Sequence, residues 1–451
     1  MSIVKQKVKQ KKYKTYKKYR DSGTGWLGKI PAGWKVMQLR RIARVVGGST
    51  PKTSHEDYWD GNISWYTPED LGKCHSKFIE SSKRKITKMG YKSCGTELIP
   101  RNSLILSTRA PIGHLALLKN NSCFNQGCKG LSFKKNLVSS YYYYHLSSVR
   151  SVLEARGQGS TFIELNTLNL KSFFVLCPDF KTQKRIANFL DKKTAKIDKL
   201  IQKNKKLIKL LEEKRQAAIT QAVTKGLDPN VKMKDSGVKW IGEIPKTWQV
   251  IKLKFIANNI FSNVDKKIDK KEIPIQLCNY IDVYKNDYIT DSVQFMSGTA
   301  TYNEIEKFKI KTGDVLVTKD SETPEDIAMP AFVKKTSKDL VCGYHLAILR
   351  PRKKRILGNY LFWLFMSRSF NQYFETSAKG ITRYGLSISA FNDVKIPLPD
   401  IKGQRIISIF LENISDKTHN LMSKLVEENK KLAEYRQAVI SNAVTGKIKV
   451  N

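Results

Sequence analysis

The chain has 451 residues, enough for two or three domains, and a hydrophobic content of 41% that can fill ordinary cores. Its 81 Lys and Arg against 40 Asp and Glu leave a formal charge of +41, which points to a polyanionic partner, nucleic acid first, beyond what a lysine-rich proteome would supply. Seven cysteines without a CxxC pair, and no run of 18 apolar residues, argue against a disulfide framework and a membrane span; a cytoplasmic protein with reduced thiols is expected.

The first twenty residues hold nine basic side chains and no apolar h-region, so they do not read as a secretory signal. They predict a basic N-terminal extension, a disordered arm that touches phosphates. From Asp21 the chain begins a repeat. DSGTGWLGKIPAGWKVMQLR at 21–40 returns as DSGVKWIGEIPKTWQVIKLK at 235–254 with ten of twenty positions identical. RQAAITQAVT at 215–224 returns as RQAVISNAVT at 436–445 with seven of ten. Between these matched ends the two copies diverge, which suggests one duplicated scaffold carrying two differently specialised parts.

Residues 25–178 read as short strands and turns with one helix, SYYYYHLSSVRSVLEA at 140–155, whose aromatics predict core packing. After the strand-like KSFFVLCPDF a long amphipathic helix is predicted from about Thr182 to Thr224. Its heptad seam runs through Ile186, Leu190, Lys193, Ile197, Leu200, Asn204, Leu207, Leu211, Lys214 and Ala218. Gly226 to Pro229 mark a linker. Residues 239–399 repeat the mixed pattern, with LFWLFMSRSFNQYFET at 361–376 matching the earlier helix. A second seam follows through Ile407, Leu411, Ile414, Thr418, Leu421, Leu425, Glu428, Leu432, Tyr435 and Val439. Apolar residues at period 3.5 make each helix seek another, and the two copies are natural partners as rods of roughly 60 Å.

The tools of an enzyme are missing. The sequence has no GxxxxGK[ST], no GxGxxG after a strand and no HExxH, and the Asn/Asp-Pro-Pro-aromatic motif of amino-methyltransferases is absent. Asp179 with Glu212, Glu213 and Lys214 mimics a nuclease PD…ExK, but the last three lie on the heptad helix. The histidines and cysteines do not cluster at metal-ligand spacing. A non-catalytic binder without a cofactor or metal is expected.

Its polar clusters fall in loops. In the first copy these are GGSTPKT (47–53), WYTPEDLG (65–72), STRAPIG (107–113), FNQGCKG (124–130) and GQGSTF (157–162). They offer Ser49, Thr50, Lys52, Thr67, Arg109, Asn125, Gln126, Lys129, Ser160 and Thr161 as DNA-binding candidates. In the second copy VTKDSETPEDI (317–327), CGYHLAI (342–348) and KGITRYGLS (379–387) offer Lys319, Tyr344, His345, Thr382, Arg383 and Tyr384. Arg, Lys, Asn and Gln suit base edges in the major groove, whereas Ser, Thr and backbone N–H groups more often hold phosphates. GSTFIEL (159–165) aligns with GITRYGL (380–386), so that Gly159 and Thr161 recur while Phe162 becomes Arg383. Kept holding residues beside changed reading residues are what two different half-sites would need.

At these residues the chain resembles the specificity subunit of type I restriction–modification enzymes over essentially its whole length after the basic tail. GWLGKIPAGWKV, GGSTPKTSHEDYWDGNISWYTPEDL, STRAPIG, FNQGCKGL and GSTFIEL…CPDFKTQKRIANFLD carry the likeness in the first half. GEIPKTWQV, TKDSETPEDIAMPA, GYHLAILRP and GITRYGLS carry it in the second. The extension before Asp21 and the junction Pro178–Gln183 depart from the family pattern.

The resemblance implies an α+β protein with a pseudo-twofold internal repeat: two similar α/β target-recognition domains separated by two long antiparallel coiled-coil helices. The expected division is 1–20 extension, 21–181 first recognition domain, 182–227 first helical spacer, 228–402 second recognition domain and 403–451 second spacer. The implied function is recognition of a bipartite, asymmetric double-stranded DNA site. The implied partners are two methyltransferase subunits, which carry S-adenosylmethionine and methylate adenine N6, and restriction/translocase subunits. The recognition subunit of a type IIB restriction enzyme, and a non-enzymatic coiled-coil scaffold that binds nucleic acid, remain alternatives.

Overall fold

The computed structural model describes residues 13–158, 163–352 and 354–450. The chain divides into two compact units, 1–203 with 427–451, and 204–426. The division falls within both long helices, Phe180–Lys225 and Ile401–Val444, and not at their ends. Each unit therefore holds one mixed α/β segment, the near half of one helix and the far half of the other.

The first unit contains a five-stranded sheet in the order Ala43–Gly47, Cys128–Phe133, Leu104–Ser107, Leu115–Leu118, Phe78–Ile79. A three-stranded sheet joins Ser122–Phe124, Trp59–Tyr66 and Arg84–Ile86. The second unit repeats both. Its five strands are Ala257–Phe261, Leu346–Pro351, Val315–Thr318, Pro330–Val333 and Tyr288–Ile289, and its three are Met296–Ala300, Ile273–Cys278 and Leu340–Cys342. The inner strands LILS and VLVT are buried along their whole length, as expected of strands covered on both faces.

The two long helices begin by one device. Asp179 accepts the N–H of Thr182 at 2.9 Å, and Asp400 accepts that of Gly403 at 2.7 Å, satisfying donors that a helix start leaves free. Four residues on, Gln183 and Gln404 are fully buried. Gln183 donates to the Pro178 carbonyl at 2.8 Å and accepts from Val138 at 2.9 Å. Gln404 donates to Pro399 at 3.0 Å and accepts from Leu357 at 2.9 Å.

The repeated end segments explain each other. In the first unit Leu27, Ile30 and Trp34 share a core with Val439, Ile440, Ala443 and Val444. In the second, Ile241, Ile244 and Trp248 share one with Ile219, Ala222 and Val223. The strand–turn motif of each copy thus packs on the end of the helix supplied by the other. Both ends are retained because each has to fit the other's partner.

Three expectations are corrected. Residues 13–20 are not a free arm. Tyr19–Asp21 pairs with Lys29–Pro31 as a strand, Tyr16 stacks edge-on against Trp34 at 5.6 Å, and Tyr19 donates to the Gly446 carbonyl at 2.9 Å. Met233–Asp235 pairs with Glu243–Pro245 in the same way, so the repeat starts before Asp21. Residues 1–12 lie outside the described residues. Each aromatic helix is broken in two, Ser139–Ser148 with Arg150–Glu154 and Gly358–Phe365 with Arg368–Ser377, though its rings do fill the core. The heptad seam is buried at Ile186, Leu190, Ile197, Asn204, Ile407, Leu411, Leu425 and Val439, but Leu200, Leu207 and Leu421 are about 40% exposed (39%, 41% and 43%). Across the helices Arg436 donates to Asp198 at 2.9 Å in the first unit, and Arg215 donates to Ser415 at 2.9 Å in the second.

Candidate nucleic-acid interface

The polar loops converge just past the central strand of each five-stranded sheet, on a shared backbone frame. Thr108 donates to the Gly127 carbonyl at 2.8 Å, and its own carbonyl accepts from Leu165 at 2.8 Å. Lys319 does the same with His345 at 3.0 Å and Leu386 at 2.9 Å. Asn125 donates to Tyr66 at 2.9 Å, and Gly343 to Cys278 at 2.8 Å. The return segments close identically, Gln158 exchanging two backbone bonds with Glu164 and Lys379 two with Gly385. This frame makes 109 equivalent to 320, 126 to 344, and 164 to 385.

On the first frame the side chains form one connected network. Thr50 donates to the Gln126 side-chain oxygen at 2.6 Å. Lys129 Nζ donates to the Gln126 backbone carbonyl at 3.4 Å and lies 4.0 Å from Glu164. Glu164 accepts from Arg109 Nε at 2.9 Å. Gly48 permits the approach of the 47–53 loop, since a Cβ there would fall 2.2 Å from the carbonyl oxygens of Phe124 and Asn125. Ser49 holds that loop through its backbone, accepting from Trp65 Nε1 at 2.9 Å. Lys52 is exposed, and its carbonyl accepts from Trp59 Nε1 at 3.3 Å.

On the second frame Asp320 is the hub. It accepts from Lys319 at 2.8 Å and from His345 Nδ1 at 3.0 Å. Arg383 reaches His345 Nε2 at 3.0 Å, and the Tyr344 ring lies 3.6 Å from the imidazole. Tyr384 pairs with Ser321 on a short strand bridge. Burial holds the His345 imidazole below its ordinary pKa and Arg383 pushes the same way, while the hydrogen bond that the ring donates to Asp320 opposes them. The neutral ring can then give its Nδ1 proton to Asp320 and accept from Arg383 at Nε2.

The structure thus brings together Thr50, Gln126, Lys129 and Arg109 in one cluster, and Lys319, Tyr344, His345, Arg383 and Tyr384 in another. Thr67 and Asn125 are engaged locally. Thr67 caps the helix Pro68–Lys73 in a capping box with Asp70, and the Asn125 side chain accepts from Gly127 at 3.0 Å. Thr382 is exposed. Ser160 and Thr161, with Gly159 and Phe162, lie outside the described residues. Residue type does not single out Glu164 and Asp320, because cations and amides are the side chains that suit base edges. An acid among basic loops in a chain of +41 was the available signal.

No group of three or more His, Cys, Asp or Glu suited to a metal occurs among the described residues, and no described helix is long and apolar enough to cross a membrane. The family whose description matches is the Type I restriction modification DNA specificity domain, over residues 31–210 and 245–429. The chain is 36% identical over 189 residues to the type I restriction enzyme MjaIX specificity subunit of Methanocaldococcus jannaschii, a stretch covering 42% of this chain and 43% of that relative. The matched stretch thus spans less than half of that relative's length. To the MjaVIII specificity subunit of the same organism it is 21% identical over 94% of both chains. Two solved structures share the fold at 14% identity. One comes from a study of complex assembly and conformational transition of the type I R-M system, with a TM-score of 0.70 over 92% of this chain and 98% of that one. The other is the HsdS subunit from Thermoanaerobacter tengcongensis, with 0.54 over 93% and 98%. With the family matched twice over most of its length, the chain belongs to the DNA specificity subunits of type I restriction–modification systems.

Proposed function

We propose that the chain reads a bipartite, asymmetric double-stranded DNA site, one half with each loop cluster, and presents it to two methyltransferase subunits and, through the complex, to restriction/translocase subunits in the cytoplasm. The chain contributes recognition and no catalysis. The observation that carries this reading is one backbone frame bearing two different sets of side chains: Gln126, Lys129, Arg109 and Glu164 on one, Tyr344, His345, Asp320 and Arg383 on the other. A shared frame holds the duplex alike, while changed side chains read different bases.

The test is methylation mapping of a genome that carries this chain with its methyltransferase. Two unlike half-sites separated by unread base pairs are expected. A single continuous motif, or methylation without sequence preference, would overturn the reading.

A further inference from the structure

We infer that Glu164 and Asp320 are positioning residues that set how the neighbouring cations meet DNA, holding each guanidinium toward a base edge and away from the phosphates. The inference rests on the DNA-reading function proposed above. It starts from an exchange of sign. In the first unit Arg109 stands at the strand end and Glu164 opposite it on the return segment. In the second Asp320 takes the place of Arg109 and Gly385 that of Glu164, while the guanidinium, Arg383, comes two residues before Gly385 and meets His345. Each copy places one carboxylate among bases, but from opposite sides of the same strand bridge.

The backbone frame does not demand that carboxylate at either place. The backbone bonds of the frame are the same in both units, although 164 is Glu where 385 is Gly, and 109 is Arg where 320 is Asp. Yet an acid recurs at the mouth of both clusters in a chain with twice as many basic as acidic residues. Beside a polyanion a carboxylate is repelled, so its gain must lie in selectivity.

The geometry shows what it selects. Glu164 occupies Arg109 Nε, and among the described residues the two terminal nitrogens of Arg109 make no hydrogen bond. Those terminal nitrogens are the pair that can grip guanine O6 and N7 together. Glu164 also lies beside Lys129, whose side chain is only 9% exposed, and so offsets a nearly buried ammonium. Asp320 does the same for Lys319, and orients Arg383 through the imidazole of His345. Removing the carboxylate charge frees a cation to follow phosphates, which carry no sequence information.

The test uses the full chain assembled with its methyltransferase subunits, and compares Glu164→Gln and Asp320→Asn with the unaltered protein. Binding is measured across a salt series to the mapped site, to duplexes altered in one half-site, and to an unrelated duplex. Each variant is expected to bind unrelated DNA more tightly, with a salt slope steeper by about one. Its preference for the mapped site should fall about tenfold, and only through the half-site of the affected unit. Glu164→Asp should keep most of the preference. Preference unchanged, or binding to all duplexes weakened in parallel with a lower Tm, would overturn the inference, because a structural role moves stability and not the ratio. If Glu164→Gln does not fold, Asp320→Asn decides alone. An unaltered protein without preference for any duplex would instead overturn the functional reading itself.

Discussion

The hydroxyl of Tyr141 donates to the carbonyl of Val444, the last residue of the second long helix, at 3.1 Å. Tyr360 lies 3.4 Å from the carbonyl of Val223, near the end of the first helix, and 3.0 Å from that of Pro397, the nearer acceptor for its one proton. Helix ends leave carbonyls unsatisfied, and in the first unit a buried tyrosine from the aromatic helix supplies a donor. Together with Trp34 and Trp248 these tyrosines make a socket for the helix end. The Val–Thr that closes each repeat, at 223–224 and 444–445, is therefore retained for its fit to that socket.

The glycine after each helix separates two costs. Gly446 has φ +73°, and a Cβ there would fall 2.4 Å from Pro31. Gly226 has φ +77°, but its nearest neighbour would be Trp248 at 3.3 Å. Gly226→Ala should cost about 1 kcal/mol for the left-handed backbone. Gly446→Ala should cost about 1–3 kcal/mol more, since Pro31 or the helix end must shift. Denaturant unfolding of both variants checks the ranking, and equal costs would show that the socket yields.

The helix starts depend on Gln183 and Gln404 in the same way. Replacing either by Leu removes a donor and an acceptor from buried backbone groups, at about 1–3 kcal/mol for each group left unpaired. Gln404 makes a further bond to the Arg355 carbonyl at 3.2 Å, so Gln404→Leu should be the more damaging in a thermal melt.

Arg383→Ala should loosen recognition at one base of one half-site. A lost bidentate contact costs about 1–3 kcal/mol of discrimination, read by competition between duplexes altered one base pair at a time. Uniform weakening on every duplex would make Arg383 a phosphate contact.

Much of this organisation is legible in the sequence. The duplicated ends, the two long helices and the loop clusters follow from periodicity and residue type. What escaped depends on contacts between distant segments. Tyr13, Tyr16 and Tyr19 sit among lysines, and net charge outweighed their spacing. Tyr13 packs against Phe189 at 5.8 Å, burying apolar surface that the local composition hides. The break at Val149 needs φ −117° and ψ 24°, which lets two short helices follow the core. No propensity marks it. Glu164 escaped for another reason: its role exists only opposite Arg109, 55 residues away.

The last prediction concerns His145, which is fully buried and which the second copy replaces with Met366. Its Nε2 accepts the N–H of Leu176 at 3.0 Å, so the ring is neutral with its proton on Nδ1. Burial alone pushes its pKa down to about 3. Unfolded, it should titrate near the ordinary value of about 6.5. The folded pKa lies below the unfolded one, so this stability is complete above about pH 6.5 and is lost as pH falls toward about 3. From pH 8 to pH 5 the loss should be about 2 kcal/mol, at most about 1.4 kcal/mol per pH unit. His114 and His345, both also held below their ordinary pKa chiefly by burial, add to the measured slope. His145→Met isolates the one contribution. It leaves Leu176 without an acceptor and lowers stability at pH 8, where the ring is neutral in both states, but it should flatten the decline between pH 8 and pH 5 by about 2 kcal/mol. Urea unfolding of the full chain at pH 5, 6, 7 and 8 measures both effects. A decline as steep in the variant as in the original would show that His145 gains a proton without unfolding.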